Sequence, residues 1–261
     1  NVVAAYLSSL FVMALLFGWL LSEQYQQEIE AAESRITARA NVVTEWAKGV
    51  FAQSGQALFG LAELLTIQGM PNADNTQVLE SALENLTQYV PLVNEVGVLD
   101  LNGRVLASSH GNRNAGANIG HTQFFNAFKR GGQQELITPL YWSDRHQHYY
   151  LYHGRRLDSP TGDFMGVVVS SIVPDIFADS LEQMHVYDGE SIALVDSESR
   201  LIARYPTLDE QFAVGRKIPS SHADQKLANG KNAWSLKALS PIDDRERLFR
   251  MQRVGEYPML A

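Results

Sequence analysis

From Val2 to Leu21 the chain reads VVAAYLSSLFVMALLFGWLL, apolar on every helical face and without one charged residue. At about 1.5 Å of rise per residue this run spans roughly 30 Å as a helix, the thickness of a bilayer core. From Ser22 to about Ile67 there is no proline. Apolar residues recur at helical spacing: Ile29, Ile36, Val43, Trp46, Val50, Leu58, Leu61 and Leu65. One long helix is predicted, continuous with the apolar run. Gly49, Gly55 and Gly60 weaken its far half and permit a kink. Gly69 and Pro71 stop it. A second amphipathic helix is predicted over Asn75–Tyr89, ended by Pro91.

Beyond Pro91 the period shifts toward two. Val96–Asp100 and Arg104–Ser108 read as strands about an Asp-x-Asn-Gly turn. Thr122–Arg130 reads as a short helix closed by Gly131 and Gly132. Strands follow over Glu135–Trp142, His148–Arg156 and Phe164–Val173, and Pro174 opens a helix, PDIFADSLEQM. The hairpin VLDLNGRVLA then returns as LVDSESRLIA, with Asp100 and Asp196 in matching places. After it come a short helix over Ser220–Ala228 and strands over Ala233–Leu239, Arg247–Val254 and Tyr257–Ala261, with turns at Asp243–Asp244 and Gly255. Each unit is a hairpin, a helix and three strands. Smaller echoes agree, such as Asn118–Gly120 against Gly215–Ile218. Antiparallel α+β units look alike in general, but shared order and spacing favour a tandem duplication. The fold class is α+β.

Composition narrows the possible partners. A formal charge of −8 leaves no basic footprint, so nucleic acid is not expected. With no cysteine, disulfides and thiolate metal sites are excluded. The apolar run is longer than the core of a signal peptide and passes into SEQYQQEIEAAE with no small-residue cleavage site. An uncleaved membrane anchor is therefore expected; the competing reading is a secreted protein with a cleaved leader. Trp19 suits a membrane interface. No G-x-S-x-G elbow, phosphate-binding glycine loop or H-E-x-x-H occurs. These residues are not expected to be an enzyme, and no cofactor is implied.

Candidate binding chemistry concentrates on the strand His148–Arg156. Alternation places Tyr150, Tyr152, Gly154 and Arg156 on one face and Tyr149, Leu151, His153 and Arg155 on the other. Aromatic walls with an arginine make a pocket for a carboxylate or similar anion. The plainer alternative is a half-buried strand with amphipathic rings and a solvated arginine. Phe124, Phe125 and Phe128 read as core, one of them free to close a pocket. Tyr141 and Trp142 form a wall or rim, and His121 a pocket lip. His146 and His148 share a strand face, but no carboxylate is spaced to complete a metal site, so none is expected.

The order VLDLNGRVLASS, NIGHTQFFNAF, LITPLYW, HGRRLDSPTGDFMGVVVSSIVPDIF, then ALVDSESRLIARYP and SPIDDRERLFRMQRVGEYPML, resembles the double Cache (PDC-type) sensor region of bacterial receptors over about residues 22–261. The resemblance implies two tandem PAS-like antiparallel modules held outside the inner membrane. A transmembrane helix would occupy 1–21, the stalk and second helix 22–91, a membrane-distal module 92–186 and a membrane-proximal module 187–261. A second membrane helix would lie beyond Ala261. A small polar or anionic ligand is expected in the distal module, lined by Phe125, Tyr141, Trp142, Tyr150, Tyr152, His153, Arg156, Ser171 and His121. Outputs in the family include diguanylate cyclases, histidine kinases and chemoreceptors; the resemblance implies a diguanylate cyclase here first, with a histidine kinase next. The apolar stripe of the long helix points to a homodimer. One subgroup binds amino acids through an arginine near the short helix and a late strand aspartate. Thr122 and Ser171 stand at those places, so an amino-acid ligand is not expected. The alternative function is a structural or protein-interaction ectodomain without a small-molecule ligand.

Overall fold

The computed structural model describes residues 2–72, 75–90, 93–111, 116–144, 146–184, 189–207, 213–218, 231–240 and 245–261. Helix α1 runs unbroken over Val2–Gln68. Gly69 then takes a left-handed φ of 87° and its N–H donates to the Leu65 carbonyl at 2.9 Å, ending the helix. In its first part, Leu7, Leu10, Phe11, Leu15, Leu16, Phe17 and Trp19 all lie exposed. The helix is long and apolar enough to cross a membrane. An apolar surface open on all sides is what lipid, rather than water, solvates.

Further along, α1 becomes one-sided. Val43, Ala47, Val50, Phe51, Ser54, Leu58, Leu61, Ala62 and Leu65 are buried, three or four residues apart. They pack on the chain's own sheets. Val43, Val50, Leu58, Leu61 and Leu65 of the predicted stripe are therefore covered from within the chain. A homodimer through this helix is left with exposed residues such as Val42, Phe59 and Leu64.

Helix α2 (Thr76–Tyr89) lays Leu79 and Leu83 against the end of α1. The first sheet has the order β2-β1-β6-β5-β3, formed by Val105–Ser108, Glu95–Asp100, Phe164–Ile172, His148–Asp158 and Glu135–Ile137, with β4 (Tyr141–Ser143) also paired to β5. The strand expected over Glu135–Trp142 is two pieces. Pro139 between them lacks an N–H for the ladder, and the chain re-enters β5 pairing at Tyr141. One face of this sheet meets α1 and α2 through Val96, Val98, Leu157 and Val168. The other face meets α3 (Gln123–Lys129) through Leu99, Val167, Phe125 and Phe128. Helices thus lie on both faces of this sheet.

Helix α4 (Asp175–Glu182), behind Pro174, leads into β7 (Ile192–Asp196) and β8 (Leu201–Tyr205). Strands β9 (Ala233–Leu239) and β10 (Glu246–Gln252) pair with each other, and β11 (Met259–Leu260) pairs with β7. The helix expected over residues 220–228 and the turn at 243–244 lie outside the described residues.

The two hairpins match bond for bond. Asp100 Oδ1 accepts the N–H groups of Asn102 (2.8 Å) and Arg104 (2.9 Å). Asp196 Oδ1 accepts those of Glu198 (2.9 Å) and Arg200 (2.8 Å). Both first strands carry a register shift just before the aspartate. Gly103 and Ser199 occupy the same left-handed turn position. Arg104 bridges Asn118 as Arg200 bridges Lys217. Leu140, Leu151 and Ile172 of the first unit, Leu194, Ile202 and Ala203 of the second, Phe177 and Leu181 of α4, and Val43–Phe51 of α1 share one core. The units are therefore joined by apolar packing along α1.

Candidate functional site

Three strands place one row of side chains on the α3 side of the first sheet. Glu95 on β1 pairs with Ser171 on β6, and Ser171 pairs with Tyr152 on β5. Alternation adds Tyr150, and β4 adds Tyr141 opposite Tyr150. Tyr150 and Tyr152 stack with ring centroids 6.0 Å apart, and Tyr141 meets Tyr152 edge-on at 5.7 Å. Phe124 reaches Tyr152 from α3 at 6.3 Å.

Helix α3 is fixed at both ends. Thr122 caps it: Oγ1 donates to the Ile119 carbonyl at 2.7 Å and accepts the Phe125 N–H at 3.2 Å. At its last turn Arg156 donates to the Phe128 carbonyl. Gly154 lets the helix sit close, since a Cβ there would stand 2.5 Å from Phe124 Cζ. The helix covers one end of the sheet and leaves the Glu95–Ser171–Tyr152 row beyond its edge.

The row is polar and ranges from buried Ser171 and Tyr150 to exposed Tyr141. The Ser171 hydroxyl is buried with no hydrogen-bond partner. Glu95 accepts from Ser108 Oγ at 2.5 Å and has His110 Nδ1 at 3.7 Å. Burial pushes the Tyr152 phenol far above its ordinary range, with Tyr150, Tyr141 and Glu95 adding to the shift. Burial, then the Glu95 charge, pushes Tyr150 up as well. Both rings are neutral at physiological pH.

The expected site residues separate into groups. Tyr141, Tyr150, Tyr152 and Ser171 come together. Trp142 points to the other side of β4, where it meets Tyr149 at 4.9 Å and donates Nε1–H to Asp144. Phe125 is fully buried against Phe164, Leu99 and Val167, so it is core rather than wall. His121 is exposed on the turn before α3. Arg156 shares the face of Tyr152 but lies under α3. There it holds Asp158 at 2.7 Å and covers the Phe164 ring.

His153 lies on the opposite face. It is fully buried, with Nδ1 3.0 Å from Ser54 Oγ of α1 and Nε2 2.8 Å from Glu135. Ser54 Oγ is also 3.0 Å from Ser170 Oγ, and Arg155 completes the group on Glu135. The hydrogen bond from His153 holds the Glu135 carboxyl below its ordinary value, with Arg155 adding to the effect and partial burial opposing it. Glu95, Ser108 and His110, which join the row, were not among the expected candidates, and of the three phenylalanines it is Phe124 that reaches Tyr152. Glu95 was legible by alternation, two positions before Gly97 and four before Leu99, but it stands one residue ahead of the predicted strand.

A separate cavity of about 800 Å³ lies between α1 and the second unit, lined by Arg35, Arg39, Glu190, Ala193, Leu248 and Arg250 among others. It opens between β7 and β10, in line with β11: Leu260 pairs with Val195, and Ala261 exchanges hydrogen bonds with Gln252.

No protein-family model and no curated protein matches the chain. Solved structures do match its fold. The extracellular domain of rpHK1S-Z16, named as a candidate histidine kinase, superposes with a TM-score of 0.78 at 21% identity, covering 89% of this chain and 93% of that one. The sensory domain of the Campylobacter jejuni chemoreceptor Tlp3 (CcmL) with isoleucine bound gives 0.64 at 15% identity, covering 88% and 91%. The ligand-binding domain of Mlp24 with asparagine gives 0.62 at 15% identity, covering 90% and 92%. The chain has the fold of these extracellular sensory domains, as the double Cache resemblance implied.

Proposed function

We propose that this chain is the extracytoplasmic small-molecule sensing region of a membrane-bound signalling receptor. The first unit, about residues 92–186, is the membrane-distal ligand module, and the second, from about 187, is membrane-proximal. The apolar start of α1 anchors the region in the inner membrane. The receptor's output is a histidine kinase, with a diguanylate cyclase as the second choice; the candidate histidine kinase among the structural neighbours supports that order.

The carrying observation is the aromatic row beyond α3 with its buried, unpartnered Ser171 hydroxyl. Buried polar groups ordinarily have partners, and a bound molecule supplies one here. The same strands provide a route outward. Tyr152 lines the row, while its neighbour His153 holds Ser54 of α1. Tyr141 lines the row, while the N–H of its neighbour Leu140 donates to Asp196 of the second unit at 3.0 Å. A ligand that binds one arrangement of β4 and β5 more tightly shifts the population of that arrangement, and with it the seating of α1. The expected motion is a small shift of a packed helix, carried to the membrane along its length.

Thermal unfolding of the full chain in detergent micelles against a metabolite panel tests the reading. A specific ligand at a hundredfold excess over Kd raises the midpoint by roughly 5 °C. Tyr152→Ala removes that rise. A structural or protein-interaction ectodomain ignores the whole panel, and that result contradicts the proposal.

A further inference from the structure

The charges around the aromatic row decide what kind of molecule it takes. An anionic ligand needs a cation facing it, and among the described residues the nearby guanidinium groups of β5 are turned to other duties. Arg155 lies on the α1 side with Glu135, and Arg156 lies beneath α3 with Asp158. At the place where an amino-acid sensor of this resemblance would carry arginine, Thr122 spends both its donor and its acceptor on capping α3.

The anion, by contrast, is present. Ser171 replaces the expected aspartate, but Glu95 stands directly beside it on β1, in the same row and on the same face. The carboxylate function is displaced by one strand. Burial raises both the Tyr150 and the Tyr152 phenol, and the nearby Glu95 carboxylate adds to both shifts. Three tyrosine rings and a carboxylate in one row are surroundings that favour an organic cation: the ring quadrupoles attract its charge and the carboxylate neutralises it. His110 Nδ1 lies 3.7 Å from the same carboxylate.

We infer that the distal module recognises a small organic ammonium ion without a carboxylate, its charge held by Glu95 and its alkyl groups by Tyr141, Tyr150 and Tyr152. The Ser171 hydroxyl accepts a hydrogen bond where the ammonium has an N–H to give. This assignment rests on the sensing function proposed above. It replaces the polar or anionic ligand expected from Arg156.

Isothermal titration of the full chain in detergent micelles at neutral pH tests it with four probes: choline, ethanolamine, the neutral tert-butyl isostere of choline, and acetate. Choline or ethanolamine binds at the row; acetate does not, and the isostere binds at least about tenfold more weakly than choline. Glu95→Gln, which keeps the side-chain shape, weakens ammonium binding about thirtyfold or more. Tyr152→Phe, which keeps the ring, retains binding and shows that the fold survives substitution in the row. Ammonium binding unchanged in Glu95→Gln, or an isostere as tight as choline, overturns the inference. An anionic or neutral metabolite that stabilises the chain while neither ammonium binds overturns it too, yet leaves the sensing function standing. Silence from these probes and from the wider metabolite panel removes both.

Discussion

Asp100 and Asp196 close the same turn in the same way, yet only Asp196 reaches out of its unit. It is fully buried, and its second oxygen accepts from the Leu140 N–H and from Arg200 Nε at 2.8 Å. The two turns match, and the aspartate of the second is also a joint between the units. Single residues elsewhere carry duties as specific. Arg156 binds Asp158 and the Phe128 carbonyl of α3 while nine-tenths buried, so Arg156→Ala costs about 2 kcal/mol in chemical denaturation. If Arg156 instead gripped a ligand, the same change would abolish ligand binding with little loss of stability. Glu135 has a folded-state carboxyl pKa below its ordinary value of 4.5. Its stabilisation is therefore present above that value and lost as pH falls through the lowered one. Glu135→Gln flattens the midpoint-against-pH curve below about pH 4.5 and leaves its shape above pH 6 unchanged. The shared face of Tyr150 and Tyr152 was legible from alternation alone. The burial of His153, the duty of Arg156 and the separate facing of Trp142 were not, because each depends on which neighbour covers which face.

Periodicity made most elements legible. The long helix, the two hairpins and the strands over His148–Asp158 and Phe164–Ile172 follow directly from spacing and turn residues. What spacing could not say is what each stripe touches. The α1 stripe reads equally well as a dimer seam or as an intramolecular core, and the second use is observed for Val43, Val50, Leu58 and Leu61. Gly55, read as a weak point, is where Glu135 approaches α1: an added Cβ would stand 2.8 Å from Glu135 Oε1. Gly154 has a similar duty beneath α3. Gly154→Ala drives a methyl group into Phe124 and Phe128, lowers stability by about 1–3 kcal/mol in chemical denaturation, and weakens ligand binding by shifting α3. Ser54→Val, on α1, removes a hydroxyl shared by His153 and Ser170 and leaves buried polar groups without it. That variant loses stability, and its α1 no longer responds to ligand in hydrogen exchange.

At the scale of the molecule, two sheet units share one core along a single helix. Besides Asp196 and Leu140, the joint includes Tyr149, whose ring rests so close to Gly215 that no side chain fits there. Asp196→Ala strips the Leu140 N–H of its acceptor and the second hairpin of its turn. It therefore separates thermal unfolding of the full chain into two transitions where the parent shows one. The central claim is that a ligand held on the Glu95–Ser171–Tyr152 row alters how α1 is seated. Hydrogen–deuterium exchange of the full chain in lipid nanodiscs, with and without a ligand identified by thermal shift, tests it most directly. Slower exchange is predicted in α3, β4 and β5, together with a change in α1 about Val50–Leu58. Protection confined to the segments around Ala193 and Leu248, or an α1 indifferent to bound ligand, would contradict it.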